Sequence, residues 1–272
     1  MEKRRYTCWV LMLIALVSSS LNAEEQVDSL STHTDFRWQV GEELFYKVKY
    51  SFLTVGTLRF NVLNKDTLRG RPVYHCRMHM KSAGIPFVNF DDIFDSYIDE
   101  AMYSHRLESW EKGGDHILHT IYDMNYNDST IYMKMTREFK DDTIAVLDST
   151  TKLIANTQDG LSLLYFARAN VRKKISEDVM VFSYNVYRKT LINFTGELKE
   201  VKANGKKVPG YYLDGKMKFV GIAGLKEGFK GWFSSESQHV PLHAKMKVIV
   251  GSVRLNLEEW KNWPADTLLQ KE

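Results

Sequence analysis

Apolar and polar side chains alternate with a period of two along most of this chain, and this alternation limits the fold more than any other feature. In one clear example, Ala244, Met246 and Val248 share one parity while Lys245 and Lys247 take the other. Such alternation predicts a β-strand with one buried and one wetted face. The pattern recurs in about ten or more segments without βαβ spacing, so it predicts an antiparallel meander.

Turn residues divide the meander into strands. A turn at 234–238 joins an aromatic strand to a longer one, in which Gly251 and Ser252 permit a bend or a bulge. Residues 83–90 are apolar but interrupted by Gly84 and Pro86, which predicts a loop or a short helix tucked against the sheet. The predicted strands cover residues 44–50, 55–64, 73–81, 93–98, 104–112, 116–126, 130–139, 144–147, 179–187, 189–202, 208–218 and 220–229, followed by the hairpin within 229–260.

One segment, residues 158–169, lacks the alternation and predicts a helix. Leu161, Leu164, Tyr165 and Arg168 recur at helical spacing, and Asp159 can cap the start. A wide apolar helix face needs a concave apolar surface to cover. The chain is therefore expected to be mainly β, with a large, strongly curved antiparallel sheet, a half-open β-barrel, and one covering α-helix.

The N-terminus reads as a secretory signal peptide of residues 1–23. Basic residues at positions 3–5 precede a short apolar run, and Ala23 stands at the expected cut. The run is shorter than the roughly 20 residues that span a bilayer, although an uncleaved anchor is the alternative. Cys8 precedes the apolar run, so it cannot be the lipid-carrying cysteine of a lipoprotein. We expect a periplasmic or secreted protein without a later transmembrane segment.

The remaining chain is expected to form a flexible leader at 24–35, a single β domain at 36–260 and a C-terminal tail at 261–272. The signal peptide at residues 1–23 carries three basic residues and one acid, so its removal lowers the formal net charge from +3 to +1. This balance gives no argument for nucleic acid as a partner. Cys76 would be the one cysteine left, and it reads as a buried apolar thiol without a disulfide.

Several short motifs together resemble a known family. Residues 38–44 (WQVGEEL) lead into an alternating strand and the segment 55–58 (VGTL), and later come Trp232-Phe233, the segment 239–242 (HVPL) and the segment 250–253 (VGSV). This order resembles the bacterial envelope family called domain of unknown function 3108 (DUF3108), from about residue 36 to 260. The resemblance implies a secreted or periplasmic protein without an assigned activity or catalytic residues. The architecture also resembles that of periplasmic lipoprotein carriers, a likeness that does not fix function.

No motif in the sequence indicates a reaction, a cofactor or a metal site. His75 and His79 would lie roughly 13 Å apart along a strand, too far to share a metal ion, and Pro241 argues against a helix carrying His239 and His243. Residues 123–128 begin like a calcium loop but read better as a polar hairpin tip. The four acids Asp91, Asp92, Asp95 and Asp99 could serve acid–base chemistry, but they read better as a strand edge.

The remaining signal is a set of large apolar side chains in the loop at 83–90, the predicted helix and the aromatic strand. We weigh three hypotheses for the function. The first is a non-catalytic binding module for a lipid or acylated envelope molecule, the second an assembly factor that contacts other envelope proteins, and the third an enzyme, which the absence of a catalytic arrangement disfavours. Core packing alone also explains most of these apolar residues. The residues predicted to line a ligand pocket are Ile85, Phe87, Phe90, Leu163, Phe166, Trp232 and Phe233.

Overall fold

The computed structural model describes residues 36–84, 89–217, 225–248 and 251–263. Its elements are fourteen strands and one helix: β1 (Glu43–Tyr50), β2 (Leu53–Leu68), β3 (Arg71–Ser82), β4 (Asp91–Asp99), β5 (Ser104–Gly113), β6 (His116–Asn125), β7 (Thr130–Glu138), β8 (Thr143–Lys152), α1 (Ser162–Asn170), β9 (Ile175–Ser183), β10 (Val186–Ala203), β11 (Lys206–Met217), β12 (Leu225–Phe233), β13 (Pro241–Val248) and β14 (Ser252–Lys261). The predicted signal peptide and the predicted leader lie outside the described residues.

All fourteen strands form one antiparallel sheet in the order β8-β7-β6-β5-β4-β3-β2-β1-β14-β13-β12-β11-β10-β9. The first and last strands therefore pair in the middle, and β8 and β9 are the two edges. The sheet is not closed, but it curls strongly. The ring of Phe182 on β9 lies 5.2 Å from that of Tyr122 on β6, and the Tyr187 hydroxyl on β10 donates a hydrogen bond to the Lys152 carbonyl of β8 at 2.9 Å.

The inner face of the sheet carries the apolar row that the alternation predicts. Leu44 and Tyr46 of β1, Phe94 of β4 and Phe194 of β10 are all buried in one cluster, although their strands are far apart in the sheet order. Shared burial of this kind requires a curved sheet, because a flat one would keep these strands apart. A second, smaller cluster includes Met124 and Phe182 near the two edges.

The predicted helix is confirmed, with a later start than the predicted 158–169. The α-helix runs from Ser162 to Asn170, and its buried side chains include Tyr165, Phe166 and Ala169. These side chains belong to the same apolar cluster as the inner face of the sheet. The helix thus covers the inner face. Gln158 forms an isolated bridge with Val181, and residues 160–161 form the turn that leads into the helix.

Two strand predictions are wrong, because the period-two alternation does not reveal a turn that lies inside an alternating segment. The predicted strand 179–187 is broken by Tyr184 and Asn185, which have φ of 50° and 62° and form the tight turn between β9 and β10. At Gly251, where φ is 77°, the chain reverses between β13 and β14 instead of bending within one strand, because Met246 pairs with Val253. Positive φ at two consecutive residues is the geometry of a two-residue hairpin turn.

The C-terminal end also differs from the expected tail. Strand β14 continues to Lys261, and Trp263 is buried with the main apolar cluster. The ring of Trp263 lies 5.4 Å from that of Trp260, edge to face. The chain thus contributes to the core at least to residue 263.

Candidate functional site

Four basic side chains form a row on the outer face of the sheet. The strand registers place Lys230 opposite Lys245, Lys245 opposite Arg254 and Arg254 opposite Lys49. Because strand spacing is about 4.8 Å, the four residues span four neighbouring strands within about 14 Å. We call Lys230, Lys245, Arg254 and Lys49 the basic row.

The basic row forms no ion pair with a described carboxylate, although Asp214 lies opposite Lys230 in the strand register. Arg254 donates to the Ser51 carbonyl. Like charges directly opposite each other destabilise an antiparallel sheet. The arrangement is therefore unfavourable for the isolated protein, and an anionic partner would relieve it.

The outer face of β3 and β4 shows how this sheet treats charge elsewhere. There Asp95 accepts two hydrogen bonds from the Arg77 guanidinium, both of 2.7 Å, and a ring nitrogen of His75 lies 2.9 Å from the same carboxylate. Burial opposes ionisation, but the bonds from Arg77 and His75 lower the pKa of Asp95 below its usual value. Charges on that part of the sheet are paired in register, so the basic row is a local exception.

A groove of about 680 Å³ adjoins the basic row. Lys49 and Arg254 line it from one side, and residues 201–205 at the tip of the β10–β11 hairpin line it from the other. Its apolar floor consists of Val201, Ala203, Leu242 and Leu257, and the other lining residues are Ser51, Phe52, Lys202, Asn204, Gly205, His243, Asn256 and Glu258. We call this cavity the outer groove.

The long β10–β11 hairpin supplies one wall because it extends beyond its neighbours. Its pairing with β12 ends where Tyr211 faces Phe233, whereas β10 and β11 continue to pair as far as Ala203 and Lys206. A bulge between Phe194 and Glu197 re-aims this extension. The tip residues Val201 and Val208 are buried, so the tip packs onto the rest of the protein.

His243 contributes a neutral hydrogen-bonding group to the outer groove. Its Nδ1 lies 2.9 Å from the Asn256 side-chain oxygen, and its ring is 5.3 Å from that of Trp232. Burial, aided by the nearby positive charges of Arg254 and Lys245, lowers the pKa of His243 below its usual 6.5. The positive charge of the groove at neutral pH therefore comes from Lys49, Lys202 and Arg254.

A smaller cavity of about 60 Å³ lies inside the trough, between β3–β7 and the start of the helix. Leu107, Tyr122 and Phe182 are among its apolar walls, and Glu111 is a polar one. Drug-sized ligands occupy roughly 300–1,000 Å³. The inner cavity is therefore too small for an acyl chain, and apolar side chains fill most of the space between sheet and helix.

A second acid lies beside Glu111 on the inner face of the sheet. Ile93 faces Trp110 in the β4–β5 register, which places Asp92 beside Glu111 on the next pair of positions. Burial raises the pKa of Glu111, and the charge of Asp92 adds to that shift. Burial likewise raises the pKa of Asp92, against the hydrogen bond from the Lys112 N–H. Among the four acids singled out from the sequence, Asp92 alone thus faces a second acid across the inner face.

The five described residues of the predicted ligand pocket belong to the packed core or adjoin it. Phe166 and Phe233 are buried in the main apolar cluster, with Phe90, Leu163 and Trp232 packed against it. None of the five lines the outer groove or the inner cavity. Ile85 and Phe87 lie outside the described residues, so a ligand role for this set stays a prediction.

The other candidate motifs take structural positions. Residues 126–129 connect β6 and β7, and Asn125 Nδ2 donates to Asp128 at 2.9 Å, which confirms the polar hairpin tip. His79 contacts Asp91 at 2.5 Å on the outer face. His239 is buried, with Nδ1 2.8 Å from the Arg168 carbonyl. Among the described residues, no group of three or more His, Cys, Asp and Glu could hold a metal ion.

Sequence reasoning missed the outer groove and the basic row. Alternation places Lys49, Lys245 and Arg254 on wetted faces, but a wetted lysine is the ordinary expectation for any half-buried strand. The register that adds Lys49 to the row joins it to Arg254, about 200 residues away along the chain. The sequence signal is limited to the sign of the charges, since all four outward positions carry a cation.

Comparisons with known proteins agree with the barrel-like architecture. A similar solved structure is the beta-barrel-like protein of the domain of unknown function DUF1849 from Brucella abortus. It shares 9% sequence identity with this chain at a TM-score of 0.53, and the alignment covers 84% of this chain and 99% of that one. At this identity the likeness shows the fold alone. No curated protein matches the chain.

None of the helices among the described residues is long and apolar enough to cross a membrane. The model of the family described as "Protein of unknown function (DUF3108)" matches residues 46–258. That match begins within β1 and ends within β14, so it includes all or part of every described strand. The chain therefore belongs to the DUF3108 family.

Proposed function

We propose that this is an exported, non-catalytic binding protein, whose outer groove takes an amphipathic envelope molecule with an anionic headgroup. The observation that carries the proposal is the composition of the groove, which combines an apolar floor with cations at its rim. The signal peptide predicted at residues 1–23 supports a periplasmic or secreted location.

The charge of the groove favours an anionic headgroup. Lys49, Lys202 and Arg254 line it, against the single acid Glu258. That acid is already paired, because Lys47 Nζ lies 3.1 Å from the Glu258 carboxylate. A phosphate or carboxylate headgroup would gain charge-assisted hydrogen bonds from these three cations, none of which forms an ion pair with a described carboxylate.

The size and the floor of the groove favour a molecule with an apolar part. A volume of about 680 Å³ lies within the range of small-molecule sites. Val201, Ala203, Leu242 and Leu257 line the groove but are mostly buried in the main apolar cluster. The exposed ring of Phe52 at the rim therefore offers the larger apolar contact. The inner trough supports this role less well, since its cavity measures about 60 Å³. We therefore place the ligand on the outer face rather than between the sheet and the helix.

Binding of lysophosphatidylglycerol below its micelle concentration tests the proposal. We expect saturable binding by titration calorimetry, weaker binding of zwitterionic lysophosphatidylcholine, and about tenfold weaker binding after Lys202→Gln or Lys49→Gln. The matched control is Lys134→Gln, an exposed lysine of β7 far from the groove, which should bind normally. Equal affinity for both lipids, or unchanged affinity in both groove variants, would contradict the proposal.

The edge strand β8 favours a second function, as an assembly factor that contacts other envelope proteins. Most residues of β8 are exposed, including the large apolar side chains Ile144 and Val146. Its outer backbone edge has no strand beside it in the described sheet. An unpaired edge can accept a strand from a partner. Recovery of one stable partner, cross-linked through a photo-reactive residue at position 146 but not at position 134, would favour this function.

A further inference from the structure

We propose that the basic row and the tip of the β1–β2 hairpin together dock on an anionic lipid bilayer surface. This inference goes beyond the groove ligand. It concerns where the protein rests, and half of the residues that carry it lie outside the groove.

The basic row is wider than one headgroup requires. Lys230 and Lys245 belong to the row but do not line the outer groove. With Arg254 and Lys49 they form a nearly linear array about 14 Å long. Such an array matches the spacing of many lipid headgroups better than that of one bound molecule, and it supplies electrostatic attraction to an anionic surface.

Acids beside the row do not cancel it. Asp214 pairs with Lys230 in the strand register, one strand further out, and it also accepts a hydrogen bond from the Tyr212 hydroxyl. Glu258, the other nearby acid, is held by Lys47. The row thus has one acid at its β11 end and none at its β1 end, where the hairpin tip begins.

The hairpin tip adds an apolar anchor at that end of the row. Phe52 is 84% exposed and Leu53 is 53% exposed. Arg254 donates to the Ser51 carbonyl, so a member of the row holds the turn that presents these side chains. Cations beside exposed aromatic and aliphatic side chains are the composition of an interfacial membrane anchor.

The apolar tip distinguishes a bilayer from other polyanions. A nucleic acid or an anionic glycan would use the lysines and arginine but would gain little from Leu53. A bilayer would bury Phe52 and Leu53 while its headgroups neutralise the row. We therefore commit to a lipid surface, and binding by a soluble polyanion becomes an outcome that would overturn the proposal.

Cosedimentation of the purified protein with lipid vesicles tests the proposal. Phosphatidylcholine vesicles with 30% phosphatidylglycerol, on the order of physiological anionic content, should bind the protein, whereas pure phosphatidylcholine vesicles should not. Lys230→Gln with Lys245→Gln should weaken binding roughly 25-fold, at about fivefold for each lysine. Phe52→Ser with Leu53→Ser should weaken it by about tenfold or more. The control Lys134→Gln with Lys152→Gln removes the same charge from β7 and β8 and should bind normally.

Three outcomes would overturn the docking surface. They are no binding to anionic vesicles at low salt, equal losses in the row and control variants, and tighter binding to heparin than to vesicles with no effect of the Phe52 and Leu53 changes. The groove function fails separately, because monomeric lysophosphatidylglycerol should still bind the Lys230 and Lys245 variant. Lys202→Gln should impair that monomer binding while leaving vesicle binding almost unchanged.

Discussion

Arg168 and Glu42 form an ion pair that solvent barely reaches. The two guanidinium nitrogens of Arg168 lie 2.7 and 2.8 Å from the two Glu42 carboxylate oxygens, and Arg168 also donates to the Gln238 carbonyl at 2.9 and 2.7 Å. Desolvation offsets much of the Coulomb energy of such a pair. Its clearest effect is geometric, because one side chain fixes the helix against the start of β1 and the β12–β13 connection.

Asp92 and Glu111 present the opposite case at the residue scale, since both acids face the interior and neither forms an ion pair with a described cation. The pKa of Glu111 is raised by burial and by Asp92, so the folded state disfavours its ionised form. A raised folded pKa means that the stabilising contribution is present below the unfolded pKa and is lost as the pH rises through the folded pKa.

We therefore expect Glu111→Gln to stabilise the protein at pH 7 by up to about 1 kcal/mol, since it removes one of two like charges. The gain should shrink as the pH falls through the raised folded pKa of Glu111, and it should be absent below about 4, where the acid is protonated in both states. Urea unfolding between pH 3.5 and 7.5 measures it. Glu108→Gln is the control, because Glu108 accepts from Arg106 and His119 on the outer face of the same strand and should lose stability at pH 7. A gain from Glu111→Gln that is the same at all pH values would contradict this account.

At the scale of single elements, the start of the helix depends on one buried carboxylate. Asp159 accepts hydrogen bonds of 2.6 Å from the hydroxyls of Ser96 and Ser104 and of 2.7 Å from the N–H groups of Leu161 and Ser162. These four donors oppose the burial that raises the pKa of Asp159. The side chain therefore caps the helix and ties it to β4 and β5.

Asp159→Ala should destabilise the protein by roughly 2–4 kcal/mol, because it leaves buried donors without an acceptor. Asp159→Asn should cost less, since the amide oxygen can still accept from the two N–H groups. Urea unfolding gives the free energies, and hydrogen exchange of a peptide covering 159–170 should show that protection is lost first in the helix. Equal losses in the two variants, or unchanged exchange in that peptide, would show that Asp159 is not a cap.

The helix and most strands could be predicted because each depends on local pattern. Asp159 precedes an apolar run without alternation, and the strand segments alternate cleanly, as around Leu44 and Tyr46. The failures lie where a turn hides inside an alternating run. At Tyr184 and Asn185 the chain reverses although neither is glycine, and at Gly251 a hairpin turn resembles a bulge, since both use a glycine with positive φ.

At the scale of the whole molecule, the candidate site could not be predicted because it depends on which strands pair and on the register of that pairing. Lys49 and Arg254 are neighbours only because the first and last strands pair in the middle of the sheet. A shift of one residue in that pairing would move Arg254 to the inner face. The alternation in the sequence thus predicts on which face of the sheet each lysine lies. Predicting the row and the groove also requires the order of all fourteen strands.

That central pairing also predicts how the molecule unfolds. Leu44 of β1 is fully buried and stands between Trp260 of β14 and Phe60 of β2, where the two halves of the sheet join. Leu44→Ala should cost roughly 2–5 kcal/mol, and it should lower the stability of both halves together because they share one apolar cluster. Hydrogen exchange in increasing urea, followed in peptides from β6 and from β11, should show both regions opening at the same urea concentration, which should be lower than in the unsubstituted protein.

Leu198→Ala is the control, because Leu198 is exposed and should change stability by less than about 0.5 kcal/mol. Earlier opening of one peptide alone would mean that the halves are separate folding units and that β1 and β14 do not join them.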